Sequence, residues 1–154
     1  MNESIICGVD GSDDSHAALA VAARLAKRLG TRLVLAHVAE PAHISYAAAG
    51  SFGGMAPPML ATEEIGWHKE EAERLLAQVA ADAGLIDAER RVAVGSPAEG
   101  LADLADGEDA ELIVVGSRGR GAFKAAFLGS VSSSLLGVSH CPVLIVPPGA
   151  AGVR

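Results

Sequence analysis

The chain has 154 residues, a formal net charge of −7, and half its residues hydrophobic but only 3% aromatic. That length suits one domain with one sizeable core, built here from Ala, Val, Leu and Ile. The acidic balance argues against a nucleic-acid binder, which needs a basic stripe, and no stretch approaches the ~18 apolar residues that span a bilayer.

Ser4 to Val9 reads as a buried strand, and Asp10 closes it so early that no signal peptide is expected. Ser12 is placed to cap a helix, with Asp13 and Asp14 opposing the positive end of its dipole. Ala18, Val21, Ala22, Leu25 and Leu29 recur at helical spacing, and Gly30 supplies the stop. Arg32 to Val38 is a second apolar strand. Residues 40–61 follow no period and hold Pro41, Gly50, Gly53, Gly54, Pro57 and Pro58. A loop this long is either a ligand lid or a disordered segment. Thr62 to Ala83 predicts a helix burying Ile65, Ala72, Leu75, Leu76 and Val79, ended by Gly84.

Glu89 to Val94 alternates as a short strand. Ser96-Pro97-Ala98-Glu99 is a capping box with proline at the first helical position, opening a helix that carries Leu101 and Leu104 inward as far as Gly107. Glu111 to Val115 is a further strand, Ser130 to Val138 a last helix, and Pro142 to Val146 a last strand before Pro147-Pro148. Five strands alternating with four helices predict an α/β fold, a doubly wound parallel sheet with helices on both faces. Ligands in such sheets bind outside the carboxyl ends of the strands, where strand order reverses. If the first and fourth strands are neighbours, two loops meet there: Asp10-Gly11-Ser12 and Gly116 to Gly129.

The second of these loops is the most informative feature. Gly116-Ser117-Arg118-Gly119, nine residues, then Gly129-Ser130-Val131-Ser132 lie between a buried strand and a helix start. Glycines permit positive φ and close approach, and the first N–H groups of the helix point at an anion, most often a phosphate. The same segment also fits an ordinary loop with a serine-capped helix. It is not a Walker A motif, because it has no GK[ST], and it does not follow the first strand as a dinucleotide fingerprint would. Asp10 suits either a base or ribose contact or a turn that bonds its own backbone. Arg118 and Arg120 suit phosphate contacts or a solvated loop.

His16, His37, His43, His68 and His140 form no metal-ligand spacing, and no triad or paired-carboxylate site stands out. Cys7 and Cys141 read as core thiols of a reducing compartment.

Taken together, the chain resembles the universal stress protein family over residues 3–147. The marks are Val9-Asp10-Gly11-Ser12, the spacing Gly116-x2-Gly119-x9-Gly129-Ser130, and the ending Cys141-Pro142-Val143-Leu144-Ile145-Val146. The glycine spacing resembles the subgroup that binds ATP. The length and Pro147-Pro148 predict a single domain over 1–148 with 149–154 as a frayed tail. The resemblance implies strand order 3-2-1-4-5, a cytoplasmic location and at most slow ATP hydrolysis. It implies Asp10 and Val38 beside the adenine, with Gly11 and Ser12 in the same turn. Gly116 and Gly119 would lie along the ribose and phosphates; Val115 and Arg118 are counted with the same site, Val115 matching the family less clearly, as does Ala39. Gly129, Ser130, Val131 and Ser132 would receive the phosphates, with Mg2+ or Mn2+ as the accompanying cation. A homodimer is implied too. In that strand order, residues 142–146 form an apolar edge that a second copy would cover. The rival reading is an adenylate-forming or nucleotide-hydrolysing enzyme of related architecture.

Overall fold

The computed structural model describes residues 3–41, 58–119 and 128–150, with side chains from residue 65 onward in the helix that begins at Pro58. Most of the expected lid or disordered segment lies outside these residues, as do Arg120 and residues 151–154.

Five strands, β1 (Ser4–Gly8), β2 (Arg32–Ala39), β3 (Glu89–Val94), β4 (Ala110–Gly116) and β5 (Val143–Val146), form one sheet. Its order is β3-β2-β1-β4-β5, and every neighbouring pair is parallel. Four helices stand among the described residues: α1 (Asp13–Leu29), α2 (Pro58–Asp82), α3 (Pro97–Gly107) and α4 (Ser130–Val138). The doubly wound α/β architecture expected from the alternating pattern is the one observed.

The period of two along β1 distributes its side chains between two cores. Ile5 and Cys7 pack with Leu19, Leu35, Leu76 and Val114 on the α1 and α2 face. Ile6 packs with Val34, Leu101, Ile113 and Leu135 on the α3 and α4 face. Helix α1 presents Ala17, Ala18, Ala22 and Ala26 to the sheet, so its backbone lies close to the strands. Burial pushes the Cys7 thiol up to about 12, because a thiolate has no solvation there. Cys7 is thus a packing residue and not a nucleophile.

Helix α1 is built from the signals its sequence carries. Ser12 Oγ accepts from Ser15 N at 3.2 Å. Gly30 adopts φ 72° and its N–H reaches Ala26 O. Three expectations differ. Leu29 and Ile65 are exposed, at 61% and 49%, although both are in phase with the buried stripe: Leu29 is the last residue of α1, and Ile65 lies two turns before Ala72, the first buried residue described on α2. Helix α2 starts at Pro58, four residues before Thr62, since proline fits the first turn of a helix. Ser96 occupies the N-cap of α3 but makes no side-chain cap bond, so Pro97 and not the hydroxyl marks this start.

The two edges of the sheet differ in chemistry. At the β3 edge, Glu89 bonds Arg32 at 2.8 Å and Arg91 at 2.9 Å, and Arg91 bonds Glu108 at 2.5 Å. The hydrogen bond from Arg32 holds the Glu89 carboxyl below its usual range. At the other edge, β5 reads Val143-Leu144-Ile145-Val146, with only Val146 buried.

Candidate functional site

The sheet reverses its order between β1 and β4, which are paired directly. The loops leaving their carboxyl ends therefore meet over one crevice. A cavity of about 520 Å³ opens there, within the usual range for small-molecule sites. Ten of the twelve expected site residues line it: Asp10, Val38, Val115, Gly116, Arg118, Gly119, Gly129, Ser130, Val131 and Ser132. Gly11 and Ser12 do not. Gly11 turns the chain at φ 80°, and Ser12 spends its hydroxyl on the α1 cap.

Val38 and Val115, 6% and 5% exposed, form an apolar floor that would suit a flat ring. Asp10 stands at the rim. Its Oδ1 accepts from Ser12 N at 2.9 Å, so the carboxylate does close its own turn. Its Oδ2 faces the other loop: a Cβ built on Gly119 would lie 2.5 Å from it. One oxygen thus closes the turn while the other faces Gly119.

Across the cleft, α4 presents its N-terminus. Gly129 caps it without a side chain, and its carbonyl accepts from Ser133 N at 3.0 Å. The N–H groups of Ser130, Val131 and Ser132 precede the first intrahelical bond, so helix geometry leaves them for an outside acceptor. Together with the helix dipole, they suit an anion. The Ser132 hydroxyl is not part of that offer. It is buried and donates to Ser117 O at 3.0 Å, with Gly129 O at 3.1 Å.

The loop glycines correct one expectation. Positive φ occurs among the described glycines at Gly11, Gly30, Gly84, Gly95 and Gly149, and not at Gly116, Gly119 or Gly129. The loop uses glycine for proximity. A Cβ on Gly116 would sit 2.7 Å from the Asp14 carbonyl carbon, so α1 rests directly on the end of β4.

Three residues near the cleft carried no clear signal. Asp14 looked like a partner for the helix dipole, yet its Oδ2 accepts from Ser117 Oγ at 3.0 Å and Arg118 N at 3.1 Å. His37 lines the cavity, and its Nδ1 lies 2.5 Å from Val9 O, pinning the peptide that carries Asp10. Glu40 lines it too. For His37 and Glu40 the available clue was position, since both flank Val38 at the carboxyl end of β2.

This arrangement defines a doubly wound α/β protein with an anion-ready cleft at its switch point. A profile of the universal stress protein family matches residues 1–147. A universal stress protein of Thermus aquaticus is 36% identical over 146 residues, covering 95% of this chain and 99% of that one. A solved universal stress protein from Lactobacillus plantarum superposes with a TM-score of 0.69 at 23% identity, over 94% of this chain and 97% of that one. A solved universal stress protein in complex with cAMP is 31% identical with a TM-score of 0.60, over 96% of this chain and 98% of that one. The chain belongs to the universal stress protein family.

Proposed function

We propose that this protein binds ATP in the cleft between β1 and β4 and acts as a cytoplasmic, nucleotide-responsive binding module of the stress response. One observation carries the reading. The first-turn amides of α4 open onto a cavity of about 520 Å³ that also holds Asp10 and the apolar floor of Val38 and Val115. Phosphate, ribose and base each find suitable chemistry there. Adenine would lie on the valines beside Asp10, ribose along Gly116 and Gly119, and phosphates at residues 129–132, with Arg118 beside them. Among the described residues, no three His, Cys, Asp or Glu side chains gather as a metal site. Mg2+ or Mn2+ entering with ATP would thus be held chiefly by phosphate oxygens.

The cAMP complex of the 31% identical neighbour favours a second reading, in which the ligand carries one phosphate. Calorimetric titration with ATP, cAMP and adenosine tests both. The first reading expects ATP to bind tightest, and the second expects cAMP to. Absence of binding by any phosphorylated adenosine sinks both.

Asp10→Asn separates the two roles of this carboxylate. It keeps an oxygen for Ser12 N and replaces Oδ2, so melting should hold while nucleotide affinity falls by at least about 1 kcal/mol, the scale of one hydrogen bond. Equal affinity with a lower melting temperature would leave Asp10 as a turn residue only.

The proposal extends to a homodimer through residues 142–146. Strand β5 is an edge, it carries no charge, and Val143, Leu144 and Ile145 are each only partly covered. A second copy contributing the same strand would cover them by an isologous contact. Replacing Val143 and Ile145 by lysine should give folded monomers by light scattering. An unmodified protein that is already monomeric at micromolar concentration would contradict the dimer.

A further inference from the structure

We propose that Asp14 is a positioning residue that fixes the phosphate-binding loop from outside the cleft. This rests on the nucleotide-binding reading and adds to it a residue that does not touch the ligand. Asp14 sits in the first turn of α1 with its side chain 14% exposed. Its Oδ2 accepts from Ser117 Oγ at 3.0 Å and Arg118 N at 3.1 Å, and lies 3.5 Å from Arg118 Nε. Three donors from one dipeptide thus converge on a single oxygen, more than a hundred residues away in sequence.

The opposite side of the same dipeptide is also held. Ser117 O accepts from Gly129 N at 2.7 Å and from Ser132 Oγ at 3.0 Å. Residues 117–118 are therefore clamped between α1 and the first turn of α4. The bonds give the two ends of the glycine loop a fixed spacing, and with them the amides that would meet phosphate. Gly116 makes this reach possible, because its missing Cβ lets α1 lie against β4.

A carboxylate this close to a phosphate site carries a Coulombic cost for an anionic ligand. Favouring the helix dipole does not account for it, since the exposed Asp13 in the same turn already does that. Charge-assisted bonds to the loop do account for it, because a carboxylate holds backbone and guanidinium donors more firmly than a neutral acceptor.

The test is titration of ATP and adenosine into the unmodified protein, Asp14→Ala, Asp14→Asn and Asp13→Asn, with amide hydrogen exchange on each ligand-free protein. Asp14→Ala should weaken ATP at least about tenfold, the scale of one charged hydrogen bond. Adenosine should weaken less, because it does not use the loop amides. Asp14→Asn, which keeps a neutral acceptor, should fold and fall between parent and Asp14→Ala. Asp13→Asn should bind as the parent does. Adding Arg118→Met to Asp14→Ala should cost less than Arg118→Met alone, since the guanidinium has already lost its anchor. Equal loss of ATP and adenosine, or no loss of either, overturns the proposal. If the unmodified protein binds no nucleotide, the functional reading fails by itself. Exchange at Arg118 and residues 129–132 then decides the clamp: faster exchange in Asp14→Ala supports it, and unchanged exchange overturns it.

Discussion

Gly116→Ala should lower the melting temperature and the nucleotide affinity together. The added Cβ would meet the Asp14 carbonyl carbon at 2.7 Å, with Asp14 O and Cβ both at 2.8 Å. Two of these three atoms are backbone, so no side-chain rotation relieves the contact. Helix α1 must move off β4, and its buried alanines move with it. Overpacking of this kind costs about 1–3 kcal/mol, which for a chain of this size means several degrees of melting temperature, at roughly 2–4 °C per kcal/mol. The same movement draws Asp14 away from Ser117 and Arg118, so ATP affinity should fall in the surviving fold. Thermal unfolding and calorimetry of the variant check both effects. An alanine variant that melts with the parent would mean that α1 is not seated where the structure places it.

Gly129→Val should leave the fold standing and nearly abolish ATP binding. Residue 129 has φ −72° and ψ 169°, a conformation open to any residue, so backbone strain is not the reason. Space is the reason. A Cβ there would lie 3.3 Å from Arg118 Cα and 3.5 Å from both Gly119 N and Ser117 O. Alanine fits with a small adjustment. Valine adds two methyl groups against the same backbone and pushes apart the bond from Gly129 N to Ser117 O. The first-turn amides of α4 then no longer converge on one point. Losing two charge-assisted bonds amounts to about 3 kcal/mol, or roughly a hundredfold in affinity. Circular dichroism should match the parent, and Gly129→Ala should bind ATP within about threefold of it, well under 1 kcal/mol. Parent-like affinity in the valine variant would remove the loop from the site.

The sequence carried local information well and long-range information poorly. The unbroken apolar run Ile5-Ile6-Cys7 told of a strand buried on both faces, and Ser12 with Gly30 marked both ends of α1. The glycine loop announced the cleft because strand, glycines and helix start are contiguous in the chain. What stayed hidden depended on partners far away. Asp14 has the same local setting as Asp13, and only folding brings Ser117 to one and not the other. Nothing local to Ser132 tells that its hydroxyl bonds Ser117 O, fifteen residues back. A glycine looks the same in sequence whether it serves a turn or a close contact. The letters at 116, 119 and 129 therefore left positive φ and close approach equally open, and the backbone shows the second without the first.

The charged cluster at β3 sets a limit on how this sheet can grow. A strand adding at that edge would have to lie along Glu89, Arg90 and Arg91, and charged side chains on an edge strand disfavour such pairing. Desolvating such a network to extend a ladder is unfavourable. Of the two edges, β5 is the one that carries no charge, and a partner joining through β5 would turn its own charged β3 edge outward. The assembly would then have two identical, guarded ends. In the proposed pair, association through this sheet would stop at two chains, and the apolar strand that could otherwise seed a fibre would be used up in closing it.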